Sequence, residues 1–157
     1  MKLCFLVLAL AWCGVASAQD TREYLFFAPG AVTGSDTIHA YGAGAGGELL
    51  LGSHFGVGPE LAAFVPGEGK VSNGVVGIFS TNGYFHIGRD KRFDPFATVG
   101  YSLVFRDFTT NGGNFGVGMN YWFHQNLGLL VEGRDHVAPV RGTTTHYWEI
   151  RIGLTFR

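Results

Sequence analysis

Over its last twelve residues, HYWEIRIGLTFR, the chain alternates between two kinds of side chain. Every second position from His146 is His, Trp, Ile, Ile, Leu and Phe, while the positions between are Tyr, Glu, Arg, Gly, Thr and Arg. A period of two is the mark of a β-strand with one apolar face. The pattern recurs upstream. Phe115, Val117, Met119, Tyr121 and Phe123 oppose Gly116, Gly118, Asn120, Trp122 and His124. Ala97, Val99, Tyr101, Leu103 and Phe105 oppose Thr98, Gly100, Ser102 and Arg106, and Leu129 and Val131 oppose Glu132, Arg134 and His136. Eight such segments are predicted, near Glu23–Val32, Ile38–Leu51, Phe55–Val65, Val75–Gly88, Pro95–Phe105, Asn114–Phe123, Leu127–His136 and His146–Phe156. No helical period competes with them.

The separators carry turn chemistry: TGSD at 33–36, GSH at 52–54, PGEGKVSNG at 66–74, RDKRFD at 89–94, TTNGGN at 109–114, HQN at 124–126 and VAPVRGTTT at 137–145. Gly, Asn, Asp and Pro supply the backbone conformations that hairpins need, so each strand should pair with its successor. The connections at 66–74, 106–114 and 137–145 are expected to be the longer ones, at one end of the sheet. Those at 52–54, 89–94 and 124–126 form the short turns of the other end.

A strand with one apolar face suits two architectures. A soluble sandwich or lipocalin-like barrel turns that face inward, and a membrane barrel turns it outward to lipid. The polar face favours the second. Charged residues make up only 15% of the chain, whereas a water-facing surface usually carries about a quarter to a third. Gly42, Gly44, Gly46, Gly58, Gly100, Gly116 and Gly118 occupy alternate positions on that face. Small residues suit a crowded lumen, because about eight strands leave room only for side chains.

The charges inside the segments fit the same geometry. Glu48, Glu60, Glu132 and Glu149 are nearly matched by Arg106, Arg134 and Arg151, and a buried charge needs a partner, so these seven are expected to form a lumen charge network. The complementary expectation is that Val117, Met119, Tyr121, Phe123, Trp148, Ile150, Ile152, Leu154 and Phe156 face lipid. Tyr24, Tyr41, Tyr84, Tyr101, Tyr121, Trp122, Tyr147 and Trp148 are candidates for an interfacial aromatic girdle. The segments match the roughly 9 to 11 residues with which a tilted strand crosses a bilayer.

The first eighteen residues stand apart. MKLCFLVLALAWCGVASA has a basic Lys2, an apolar run and an Ala16-Ser17-Ala18 cleavage pattern, which is a secretory signal, leaving residues 19–157 as one domain. The competing reading, lipid modification at Cys13, would place Trp12 where a small residue is usual. Both cysteines, Cys4 and Cys13, fall within the signal, so no disulfide is expected in the exported domain. No later run approaches the roughly 18 apolar residues of a membrane-spanning helix. The formal charge is minus one, which gives no field for nucleic acid. With 25 glycines and 15% aromatics, the composition fits neither disorder nor a helical bundle.

In GAGAGGELLLG, in NFGVGMNYWFHQNLGLLVEGRD and in its last strand, the chain resembles the small bacterial outer-membrane β-barrel family of the OmpA/OmpX type. The resemblance covers the whole exported domain. It implies an all-β, eight-stranded, antiparallel up-and-down transmembrane barrel in the outer membrane, with both ends in the periplasm. The implied partners are outer-membrane lipid and, during biogenesis, the barrel-assembly machinery; a monomer is expected. Many members end on the phenylalanine that this machinery recognises, whereas here Phe156 is followed by Arg157.

Chemistry-bearing motifs are weak. Gly42-x-Gly44-x-x-Gly47 spells a dinucleotide fingerprint, with Glu68 beyond it, but ELLLGSHFGVG supplies no convincing helix for a pyrophosphate. His39, His54, His86, His124, His136 and His146 are isolated and lack metal-site spacing, so no metal or cofactor is expected. A lipid A acyl hydrolase on a similar barrel would show His-x-Ser, which does not occur, and Ser80, Ser102 and Glu149 fall on the lumen side. The expected function is therefore structural or interaction-based, without catalysis. The rival is a soluble periplasmic carrier of a small apolar ligand.

Overall fold

The computed structural model describes residues 21–34, 37–67, 74–89, 91–106, 109–140 and 142–157. The signal, both cysteines and Glu68 lie outside the described residues. Eight strands follow one another: β1 (Thr21–Thr33), β2 (Thr37–Leu51), β3 (Phe55–Pro66), β4 (Val76–His86), β5 (Phe93–Phe105), β6 (Thr109–Trp122), β7 (Leu127–Val140) and β8 (Thr143–Phe156). Each pairs antiparallel with the next, and β8 returns to β1, so the sheet closes on itself. Closure satisfies both edges of every strand, which no open sheet can do.

Two connections are much shorter than the turn chemistry implies. The 106–114 region is strand from Thr109, with Thr109 opposite Phe105. The 137–145 region is a hairpin in which Val140 pairs with Thr143, and Gly142 turns the chain with a φ of 82°. A two-residue hairpin loop needs positive φ, and glycine supplies it without steric penalty. Thr109, Asn111 and Thr144 face outward here and are exposed. Polar residues on the outer face erase the alternation that marks the other strands.

The closing seam is interrupted. Glu23 to Phe27 pair with Phe156 to Ile152, and Gly30 to Thr33 pair with Glu149 to His146, but Ala28 and Pro29 have no partner on β8. Proline has no N–H for a ladder. Gly30 then lies so close to β8 that a Cβ would come within 2.3 Å of the Trp148 carbonyl oxygen.

The alternation resolves into inside and outside. Arg22, Tyr24, Phe26 and Ala28 of β1 are buried, whereas Leu25 and Phe27 are exposed. Gly44 and Gly46 of β2 make room for the rings opposite: a Cβ on Gly44 would stand 2.6 Å from the Phe26 ring, and one on Gly46 would stand 2.4 Å from the Tyr24 hydroxyl. Gly100 makes the same room beside Asn82, and Gly118 beside Phe96. Small residues on one strand thus admit large ones from its neighbours.

Candidate functional site

The interior is an ionic core. From β8, Arg151 donates through Nη1 and Nη2 to both carboxylate oxygens of Glu60 on β3, at 2.7 and 3.0 Å, and also binds Glu149. From β7, Arg134 donates to Glu132 through Nε and Nη2, at 2.9 and 2.7 Å, and reaches Glu60 with Nη1 at 3.1 Å. Tyr24 Oη donates to Glu60 at 2.8 Å and lies 2.6 Å from Tyr84 Oη. Glu60 is therefore the hub: two guanidiniums and a phenol converge on one carboxylate. Arginine suits this position because its planar fork matches two carboxylate oxygens at once. The Arg151 guanidinium also lies 4.1 Å over the Phe26 ring.

A second cluster fills the end where the chain enters and leaves the barrel. Arg22 of β1 is ion-paired with Asp94 of β5 and reaches the Arg89 carbonyl at 2.9 Å. His86 places Nδ1 2.9 Å from Asp94 and Nε2 2.7 Å from Glu48. Trp122, only 4% exposed, lies below, with the Arg22 guanidinium 5.4 Å from its ring.

Toward the opposite end the interior is neutral and hydrogen-bonded. Ser80, Ser102, Asn82 and Asn114 link β4, β5 and β6 through bonds of 2.9 to 3.0 Å. Ser102 Oγ lies 3.0 Å from His136 Nδ1, and His136 Nε2 lies 3.6 Å from Glu149. Serine, histidine and glutamate thus fall in the order of a hydrolytic relay, yet the geometry opposes one. Ser102 is 1% exposed and bonded to Ser80 and Asn114, while His136 Nε2 also faces Arg151 at 3.2 Å. A nucleophile needs a substrate carbonyl within reach, and every neighbour here is a fixed side chain.

Little space is left. A void of about 10 Å³ is bounded by Arg22, Tyr24, Glu48, Tyr84, His86 and Phe96 among others, which is roughly the room of one water.

The outside is the inverse of the inside. Leu25, Phe27, Leu61, Phe79, Val99, Phe115, Val117, Ile150, Ile152 and Leu154 are all exposed large apolar residues. They form continuous rows: Leu154 stands between Leu25 and Leu129, and Ile152 between Phe27 and Val131. Toward the end bearing the β7–β8 hairpin the belt gives way at Trp148, beyond which His146 and Asp135 form a partly exposed pair at 2.8 Å.

Of the seven expected network residues, Glu48, Glu60, Glu132, Arg134, Glu149 and Arg151 are buried in the interior. Arg106 is not among them; it lies past the end of β5, half-buried beside Gly74. The strand stops one residue earlier than the face assignment requires. Val117, Met119, Phe123, Trp148, Ile150, Ile152 and Leu154 are exposed, and Tyr121 and Phe156 are partly so on the same outward side. The girdle candidates divide: Tyr41, Tyr101 and Trp148 are exposed, but Tyr24, Tyr84, Trp122 and Tyr147 are buried in the lumen. Their parity, shared with Arg22, His86, Asn120 and Glu149, is the signal that places them inside. The pattern also missed Arg22, His86 and Asp94 as an ionic cluster, although Arg22 precedes Tyr24 and Phe26 at the strand period. Gly42, Gly44 and Gly47 sit within β2, where no helix follows to hold a phosphate.

Comparison with solved structures decides what kind of barrel this is. Neisserial surface protein A (NspA) superposes with a TM-score of 0.77 over 90% of this chain and 99% of that one, at 11% identity. The chain has the fold of a small outer-membrane β-barrel. The N-terminal barrel domain of Pseudomonas aeruginosa OprF matches with a TM-score of 0.58 and 14% identity, covering 89% of this chain and 98% of that one. Ail, the attachment invasion locus protein of Yersinia pestis, matches with a TM-score of 0.52 and 12% identity, covering 87% and 98%. No family model and no curated protein matches the sequence.

Proposed function

We infer that the chain is an exported outer-membrane protein, a lipid-embedded monomeric barrel with a structural or interaction role and no catalytic or pore activity. One observation carries the reading: the apolar side chains ring the outside of a closed sheet, and the ion pairs are inside it. In water that arrangement would expose a greasy belt far larger than the few-hundred-Å² patches soluble monomers tolerate. In lipid it is the stable one, since a closed barrel leaves no backbone group unpaired. From Trp148 to Phe156 the belt runs about 26 Å along the strand, or roughly 20 Å at barrel tilt, close to an outer-membrane apolar band.

The soluble-carrier reading needs an apolar chamber. The interior offers instead a void of about 10 Å³ lined by Arg22, Glu48 and His86. A hydrolase needs an accessible serine, and Ser102 is sealed. Thr21, at the start of β1, and Arg157 both lie at the end with the Arg22 cluster, which in this reading faces the periplasm.

Fractionation tests it. The protein should stay in the membrane pellet through salt and urea, dissolve in detergent, and shift its gel mobility on boiling. Recovery in the soluble periplasm would overturn the reading, and loss of an acyl chain from lipid A on expression would overturn its non-catalytic part.

A further inference from the structure

Among the described residues, six of the eight ladders run without a break, and the two broken ones flank the same hairpin. β1 lacks two rungs against β8 at Ala28 and Pro29, and β2 lacks two against β3 at Gly47 and Glu48. Between these seams the β1–β2 ladder is complete, from Thr21 opposite Leu49 to Thr33 opposite Thr37.

A proline stands at each break. One step along from the Gly30–Glu149 pair, Pro29 takes the place opposite Ile150, and one step along from the Gly46–Glu60 pair, Pro59 takes the place opposite Gly47. Proline has no N–H to give the ladder, and hydrocarbon offers no substitute donor. Pro95 and Pro139 do no such damage, because they stand where the β4–β5 and β6–β7 ladders have already ended, and their ladders to β6 and β8 run through them. Each proline at a break also has a glycine beside it in the chain. A Cβ on Gly30 would come within 2.3 Å of the Trp148 carbonyl oxygen, and one on Gly58 within 1.8 Å of the Gly47 carbonyl oxygen. At both breaks the strands touch without bridging.

Side chains hold the hairpin unevenly. Toward the end with Arg22, Glu48 meets His86, Arg22 meets Asp94 and Tyr24 donates to Glu60. Toward the other end the inward positions include Ala28, Gly30, Ala40, Gly42 and Gly44, which have no hydrogen-bonding side chain. The break beside β3 is therefore pinned by the Glu48 carboxylate, and the break beside β8 is not.

We propose that the β1–β2 hairpin is a separable panel of the barrel wall, which parts from β8 and from β3 as one body while its own ladder stays intact. Segments open as cooperative units where few bonds cross their borders, and this hairpin has a weakened border on each side. The seam with β8 leads, since no side-chain bond backs its missing rungs. The two seams are coupled through the rigid ribbon between them, so a bond that ties one also holds the other.

A disulfide staple tests the coupling in the full exported chain, inserted in phosphatidylcholine vesicles. No cysteine lies between residues 19 and 157. Phe27→Cys with Ile152→Cys ties an exposed facing pair across β1 and β8, and Val99→Cys with Phe115→Cys ties a control pair across β5 and β6. Amide hydrogen exchange is compared between the oxidised and reduced forms of each. Oxidation of the first pair should slow exchange around Gly47 and Glu48 roughly tenfold, and oxidation of the control pair should leave it unchanged. Pro29→Ala, which restores an N–H on the outer wall, should slow exchange at both breaks without any disulfide. Slowing confined to the β1–β8 seam, an equal effect from the control staple, or exchange within the β1–β2 ladder as fast as at the breaks would each overturn the proposal. Heat-dependent gel mobility of the reduced samples reports closure of the barrel, and Pro29→Ala carries the test if a cysteine pair prevents it.

Discussion

Arg151 and Glu60 face each other across the barrel, on β8 and β3, and are joined by two hydrogen bonds of 2.7 and 3.0 Å although 91 residues separate them in the chain. The link ties opposite walls of the cylinder together, and both side chains are almost wholly buried. Removing one partner leaves the other charged and enclosed. Arg151→Met should lower unfolding stability by about 3 to 5 kcal/mol, measured by urea titration in detergent micelles or vesicles. The double variant Glu60→Gln, Arg151→Met should lose less than the two single losses added together, because the stranded charge is then gone.

The outward rows predict a depth-dependent response to charge. Ile152→Arg sits mid-belt, between Phe27 and Val131, and should cost about 2 to 4 kcal/mol in a folding titration with phospholipid vesicles. Thr144→Arg, on the same strand but in the polar hairpin beyond Trp148, should cost about 0 to 1 kcal/mol. Equal losses would argue against a bilayer around the belt.

The glycines predict an inside–outside contrast. A Cβ at Gly44 would lie 2.8 Å from the Leu61 carbonyl oxygen and 2.6 Å from the Phe26 ring, and the backbone atom cannot step aside. Gly44→Ala should destabilise by about 1 to 3 kcal/mol. Gly133 faces outward, and a Cβ there would meet nothing within 4 Å, so Gly133→Ala should be neutral or stabilise by up to about 1 kcal/mol. Thermal or urea midpoints of the two variants read the difference.

The filled lumen predicts electrical silence. With a void of about 10 Å³ among its ion pairs, the reconstituted barrel should show no stable conductance steps in planar bilayers and no sugar uptake in liposome swelling. Discrete, long-lived steps would mean that the Glu60, Arg134 and Arg151 cluster opens.

The strands are legible wherever one face meets the apolar belt and the other the interior, as in Val117, Met119 and Tyr121 against Gly116, Gly118 and Asn120. Thr109 to Gly113 and Val137 to Thr145 lack that contrast, since their outer positions include Thr109, Asn111, Pro139 and Thr144, and strand there reads as loop. The charge network is legible because acidic and basic residues share one parity. Its pairing is not, because Glu60 meets Arg134 and Arg151 only after the sheet curls shut, and alternation carries no information about which residues face each other across a cylinder. Tyr24 and Trp122 show a further limit. Aromatic residues serve equally as lumen filler and as girdle, and only the parity of each strand separates the two uses.

The break at Ala28 and Pro29 bears on how the cylinder is completed. Seven of the strand pairings join neighbours in the chain, while the eighth must bring together its two extremities and so carries the greatest loss of chain entropy. That joint also lacks two rungs, as the β2–β3 ladder does at Gly47 and Glu48. Amide protons bordering the gap, those of Phe27, Gly30 and Ile150, should exchange with solvent deuterium ahead of their counterparts between β5 and β6, marking where the wall parts first.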